Sequence, residues 1–166
     1  MLRLFDCFRK RPQQDAWSAS AYLYEGTLIV NANNRTYNNI GWNSDPISTI
    51  AYDSDKALIG QLIRSTVLAS RWDAEHAESL GSDNPVLQAA GVKSWTTMER
   101  KALLIHVELR DGTFTVIPNR ATLRGEGQGW IVLDDQITLP EDCTDEELGD
   151  AAVRAFEMCV PWKPKR

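Results

Sequence analysis

Two histidines and one glycine-rich run are the residues of this chain whose types and spacing could do chemistry. His76 stands among Asp73, Glu75 and Glu78, and a histidine with one carboxylate can hold a divalent ion. No second histidine or cysteine lies at a familiar ligand spacing, so a solvated acidic loop is the better reading. His106 precedes Glu108 by two residues on the polar side of an alternating stretch. A general base there needs a nucleophile and an orienting group, and no serine or cysteine motif supplies the first. A surface or partly buried structural histidine is expected. The run Gly125-Glu126-Gly127-Gln128-Gly129 has the glycine density of a phosphate loop. It lacks a Gly-Lys-Ser/Thr ending, leads into a strand instead of a helix, and carries an acid that repels phosphate. No catalytic residue, cofactor or metal ligand is expected.

Residues that could bind another macromolecule are easier to find. Asp134, Asp135, Glu141, Asp142, Asp145, Glu146, Glu147 and Asp150 crowd the last strand and helix. A helix dipole favours acids in its first turn by about 0.3–1 kcal/mol each, which accounts for only some of them. The remainder suggests a docking face for a basic protein. Six tryptophans are present. Trp42 and Trp130 read as core plugs, whereas Trp72 and Trp95 flank an irregular segment and suit interface anchors. The candidate partner-binding residues are therefore Trp72, Asp73, Glu75, Glu78, Trp95, Asp134, Asp135, Glu141 and Asp142.

The elements that must position these residues are written nearly twice. Glu25-Gly26-Thr27 with Val30, Asn33 and Thr36 reappears as Asp111-Gly112-Thr113 with Val116, Asn119 and Thr122. Gly41-Trp42 is matched by Gly129-Trp130, Ile47-Ser48 by Ile137-Thr138, and Ser54-Asp55 by Thr144-Asp145. This reads as a tandem strand-strand-helix duplication with pseudo-repeats over about 21–71 and 101–159 of one domain, 1–166. The fold class is α+β, an antiparallel sheet or sheets with two main helices. Tyr22-Leu23-Tyr24 and Leu28-Ile29-Val30 flank a turn, and the Asn-rich stretch 31–39 is expected to be a loop because Asn tolerates left-handed backbone. Asp53 or Ser54 is expected to cap a helix over roughly 55–70, with Leu58, Ile59, Leu62, Ile63, Thr66 and Val67 at helical spacing. Asn84-Pro85 opens a short helix that Gly91 stops. Leu103, Ile105, Val107 and Leu109 alternate as a half-buried strand, Asp111-Gly112 turns it, and Pro118 is expected to end the next. Thr144 with Glu147 forms a capping box for a helix in which Leu148, Ala152 and Phe156 share a face.

Composition fits such a fold and narrows its setting. The chain is 43% hydrophobic and 25% charged, ordinary for a soluble globular protein. No apolar run approaches the roughly 18 residues of a membrane span, and the start does not read as a secretory signal. Three cysteines with no Cys-x-x-Cys pair suit a reducing cytoplasm, not a disulfide or zinc framework. Net charge is −5, yet residues 1–12 carry +3 and the tail 163–166 another +3, which leaves −11 on the body. The ends 1–12 and 161–166 are expected to be basic and flexible. An acidic body repels nucleic-acid phosphate and attracts a basic partner, chiefly through association rate.

Residues 89–156 resemble the immunity proteins of bacterial contact-dependent growth inhibition (CDI) systems, the CdiI family. The resemblance is carried by Ala90-Gly91-Val92-Lys93-Ser94-Trp95, Met98-Glu99, the Asp111-Gly112 turn, Ile117-Pro118, Gly127 to Trp130, Ile137-Thr138-Leu139-Pro140 and Thr144-Asp145-Glu146-Glu147-Leu148-Gly149. It implies a non-catalytic cytoplasmic inhibitor of a CDI toxin C-terminal domain, expected to be a basic nuclease, whose active site or substrate surface it occludes. It implies no cofactor and no direct contact with nucleic acid or membrane. Members track their own toxins, so no site residue carries over. The alternative from another class is a single-stranded nucleic-acid-binding module, since a sheet-plus-helix unit can make a stacking platform; that needs a basic groove lined with aromatics.

Overall fold

A computed structural model describes residues 14–35, 41–72, 84–122 and 129–164. Among them, seven strands form an antiparallel sheet and four helices cover it. The strands are β1 (Ala16–Tyr24), β2 (Thr27–Arg35), β3 (Gly41–Ala51), β4 (Leu103–Arg110), β5 (Thr113–Ala121), β6 (Trp130–Val132) and β7 (Ile137–Pro140). The helices are α1 (Lys56–Leu68), α2 (Pro85–Ala89), α3 (Trp95–Lys101) and α4 (Asp145–Met158). Sheet order is β3-β2-β1-β4-β5-β6, and β7 pairs with β5 on the same side as β6 but farther toward the start of that strand.

Both hairpins are set by their turns. Glu25 and Gly26 have φ of 47° and 81°, and Asp111 and Gly112 have 49° and 71°. Positive φ at both central residues matches the right-handed twist of the flanking strands, which makes X-Gly a strong local signal. The turns fix the register, closing on Tyr24↔Thr27 and Arg110↔Thr113. Register in turn decides the faces. Ala19, Ala21, Leu28, Val30, Ile105, Val107, Phe114 and Val116 point to one side, where Ile59, Ile63 and Val67 of α1 and Leu148, Ala152 and Phe156 of α4 bury them. Each such large side chain contributes about 1.5–3 kcal/mol by leaving water.

The long helices run antiparallel and meet backbone to backbone. A Cβ on Gly60 would fall inside the radius of the Asp145 carbonyl oxygen, and one on Gly149 inside that of Lys56. On the sheet's other face, Val86 and Leu87 of α2 and Met98 of α3 pack over Tyr22, Tyr24, Ile29 and Leu104.

Several local expectations need correction. Asp55, not Asp53 or Ser54, caps α1, its side chain accepting from the Ala57 N–H at 2.8 Å. Residues 31–35 of the Asn-rich stretch are strand, not loop; they pair with β1 and β3, and the Asn31 and Asn33 amides find partners across strands in Asn43 and Ser20. Pro118 does not end β5, which runs on to Ala121. It stands where pairing with β4 stops at Ile105 and β6 takes over on the other side, with its carbonyl accepting from Leu133 N–H at 3.0 Å, so its missing N–H removes little. The capping box, the Asn84 cap with Pro85 behind it, and the left-handed Gly91 are as expected.

Gly60→Ala or Gly149→Ala should destabilise the protein by about 2–4 kcal/mol, because the added methyl meets backbone that cannot rotate away. The urea midpoint should fall with an unchanged slope; a midpoint within error of wild type would contradict the close crossing.

Candidate partner-binding surface

The acidic residues near the end of the chain divide into two groups once their neighbours are known. Asp145, Glu147 and Asp150 are held internally. Arg64 of α1 donates through Nε to Asp145 Oδ1 at 2.6 Å, and Lys56 is ion-paired with Asp150. Glu147 accepts from the Thr144 N–H at 2.7 Å while its own N–H donates to Thr144 Oγ1 at 3.2 Å. The Thr144 backbone bond, followed by its hydroxyl, holds the Glu147 carboxyl below its usual range, and the Lys56 bond does the same to Asp150.

Asp134, Asp135, Glu141, Asp142 and Glu146 are exposed. Asp134 and Asp135 lie in the turn before β7, and Glu141 and Asp142 in the turn after it. β7 pairs with β5 alone, so its other side is a sheet edge. At about 3.3 Å per residue, Asp135 and Glu141 stand roughly 20 Å apart along that edge. The turn that carries Glu141 and Asp142 is clamped from α1. Arg64 Nη1 donates to the Glu141 carbonyl at 2.9 Å, Nη2 donates to the Cys143 carbonyl, and the guanidinium lies 5.0 Å from the centre of the Phe114 ring. Glu141 N–H donates to Gly112 O at 2.8 Å and closes the turn onto the β4–β5 hairpin. Between β7 and α4 a shallow open groove of about 500 Å³ is lined by Leu139, Thr144, Glu147, Ala151 and Arg154 among others. On the neighbouring β6, Ile131 and Val132 are exposed at 38% and 56%.

The structure thus places Asp134, Asp135, Glu141 and Asp142 along one edge, with Glu146 of the same acidic run nearby, and adds Ile131 and Val132, which sequence reasoning did not single out. It does not bring the tryptophans there. Trp95 opens α3 on the helix-poor face of the sheet, its ring 6.1 Å from that of Tyr22, and Trp130 contacts Tyr22 at the same separation. Trp72 follows Arg71, whose N–H donates to Asn34 Oδ1 at 2.7 Å, and the Arg35 guanidinium lies 5.1 Å from its ring centre. Asp73, Glu75, His76 and Glu78 lie outside the described residues, as does the glycine run up to Gln128. Among the described residues no three His, Cys, Asp or Glu side chains cluster as metal ligands, and no helix is long and apolar enough to cross a membrane. Cys143 and Cys159 are buried free thiols.

The helix-poor face is also the place to look for a nucleic-acid platform. Arg35 and Arg110 are the described basic side chains of its strands; the first lies over Trp72 and the second is 3.0 Å from Glu108. One of these two strand cations therefore stands beside a carboxylate, an arrangement poorly suited to tracking phosphate.

The model of the CDI immunity protein family CdiI matches residues 17–159, and the chain belongs to that family. In fold it is similar to a protein of unknown function from Neisseria meningitidis, with a TM-score of 0.69 and 16% identity over 89% of this chain and 97% of that one. It is likewise similar to a chain of a CdiA-CT/CdiI toxin and immunity complex from Yersinia pseudotuberculosis, with a TM-score of 0.66 and 12% identity over 87% of this chain and 97% of that one. No curated protein is significantly similar to it in sequence.

Because Trp95 is half-buried against Tyr22, Trp95→Ala should cost about 2–3 kcal/mol of stability, short of the full core value. Denaturant unfolding measures this, and an unchanged midpoint would show that the ring is not part of the packing.

Proposed function

We propose that this protein binds the C-terminal toxin domain of a CDI effector, a basic nuclease, and silences it by covering its active site or substrate surface in the cytoplasm. It performs no reaction of its own. The single observation that carries the reading beyond family membership is the clamped edge around β7, where Asp134 and Asp135 stand exposed toward Ile131 and Val132 of β6 and Glu141 and Asp142 stand exposed at the other end. Exposed apolar side chains next to charged ones supply the two kinds of contact a specific interface uses. The carboxylates steer a positively charged partner into encounter, and the desolvated apolar contacts hold it. Because Arg64 already fixes the turn, little ordering entropy is lost when the partner docks. Trp72 and Trp95 would extend the contact only if the partner also reached around to the opposite face.

Protection of a cell demands tight binding, roughly −12 kcal/mol for a nanomolar complex. An interface of about 1,600 Å² with a few buried anchors is large enough.

Mixed with the toxin domain encoded beside it, the protein should form a complex that abolishes toxin activity, with an association rate that falls as salt rises. Asp134→Lys with Asp135→Lys, or Glu141→Lys with Asp142→Lys, should each slow association about tenfold while dissociation changes little. Stopped-flow fluorescence reads both rates. Failure to bind at micromolar concentration would refute the function, whereas tight binding indifferent to both charge reversals would move the contact elsewhere.

A further inference from the structure

On the helix-poor face, four strands contribute polar side chains to one hydrogen-bonded chain. Asn31, fully buried, donates from Nδ2 to Asn43 Oδ1 at 3.2 Å and to Asn33 Oδ1 at 3.3 Å. Ser20 Oγ donates to the same Asn33 oxygen at 3.1 Å, and Asn43 Nδ2 donates to the Tyr22 hydroxyl at 3.2 Å. Asn33 Nδ2 lies 3.2 Å from His106 Nδ1.

The direction of this chain is dictated by a backbone group. The Ala32 carbonyl lies 2.9 Å from the Asn31 amide and can only accept, so Nδ2 of Asn31 must face it. The two N–H bonds of Asn31 are shared among three acceptors, the Ala32 carbonyl, Asn43 Oδ1 and Asn33 Oδ1, and Asn33 answers with its oxygen. The Asn33 NH2 is then left facing His106, whose Nδ1 can only accept. The proton of the neutral ring belongs on Nε2.

We propose that this asparagine chain is a proton-sensitive latch, joining β2 and β3 to β4 while His106 Nδ1 is bare and releasing them when that nitrogen takes a proton from solvent. A proton on Nδ1 would face the Asn33 NH2, donor against donor. Rotating Asn33 relieves that contact but turns its NH2 onto Asn31 Nδ2. Rotating Asn31 in turn sets its oxygen against the Ala32 carbonyl and puts its NH2 where Oδ1 now lies buried without a donor. A protonated ring is met only by setting the NH2 groups of Asn31 and Asn33 about 3.3 Å apart, donor against donor, where a hydrogen bond now stands, and such a buried mismatch is costly.

The charged surroundings agree. Arg35 of β2, two residues beyond Asn33, disfavours an imidazolium, and Glu108 of β4 is bonded to Arg110. Ser20 and Tyr22 of β1, Asn43 of β3 and Ile117 of β5, the other described neighbours, are uncharged at neutral pH. Burial first and Arg35 second hold the imidazole down to about 4. The unfolded chain binds this proton near pH 6.5 and the native one does not, so the contribution is complete above that value and is lost as pH falls toward 4. The latch does not depend on which partner the protein binds.

The test compares the full chain with His106→Gln, whose amide oxygen can accept from Asn33 without titrating. Between pH 6.5 and 4 the folding equilibrium constant of wild type should fall about 10- to 100-fold more than that of H106Q. Nitrogen NMR of wild type should show the Nε2–H tautomer at neutral pH. In Asn33→Asp, which sets a carboxylate against Nδ1, the imidazole should titrate above 6.5. Three results would each overturn the latch: a native imidazole titrating near 6.5, an Nδ1–H tautomer, or superimposable wild-type and H106Q stability profiles. If H106Q does not fold, the tautomer and the N33D titration decide alone.

Discussion

The architecture depends on one contact between two glycines. Gly60 and Gly149 are placed reciprocally, each four residues after the residue whose carbonyl the other would strike, Lys56 and Asp145. With no side chain between them, α1 and α4 cross at backbone contact. The sequence neighbours of each glycine are thereby set against the opposite helix. That is why Lys56 reaches Asp150 and Arg64 reaches Asp145, one ion pair on either side of the crossing. The exposed pairs add little stability by themselves. Their consequence is positional. Arg64, fixed by the crossing, holds two carbonyls of the β7–α4 turn, and the outward carboxylates are aimed by a residue 77 or more positions away in sequence.

Much of the local grammar was legible in the sequence. Asp-Gly and Glu-Gly between alternating apolar residues can hardly be other than tight hairpins, and Thr144 with Glu147 announces a helix start from four residues alone. What local reading could not see were segments whose polarity is satisfied at long range. The strand from Ala16 has serines at 18 and 20 where an isolated strand would show an apolar face, and Asn31 to Asn34 look like a loop by composition. Both become strand because Ser18 N–H finds Ser70 Oγ at 2.9 Å and the asparagines find each other. The seven-residue α3 is too short for periodicity to reveal; its Ser94 cap, donated to by Thr97 N–H at 3.3 Å, was the available sign.

Charge was only half legible. A run of acids near the C-terminus is evident, but the sequence does not say that Asp145, Glu147 and Asp150 are answered from Arg64, Thr144 and Lys56 while Asp134, Asp135, Glu141 and Asp142 point outward. That distinction needs the helix crossing. The tryptophans show the same limitation. Nothing in the residues around Trp95 foretells that its neighbour is Tyr22, 73 positions earlier in the chain, whose hydroxyl burial pushes up to about 12 and which is held instead by Asn43.

The two faces of the sheet therefore have different physical characters. One is sealed by the glycine crossing into an apolar core. The other joins a smaller aromatic cluster to a network of amides and hydroxyls whose directions are coupled. Apolar packing tolerates small displacements at modest cost, whereas a buried network with a forced donor direction tolerates almost none. Rigidity at the β7 edge comes from the first face through Arg64, so changes in the amide network on the second need not reach it. A protein built this way can keep its β7 edge in place while the amide network on the far side of its sheet changes. Coupling between them would pass through strands that serve both faces, β1, β2, β4 and β5, which present alternate side chains to each.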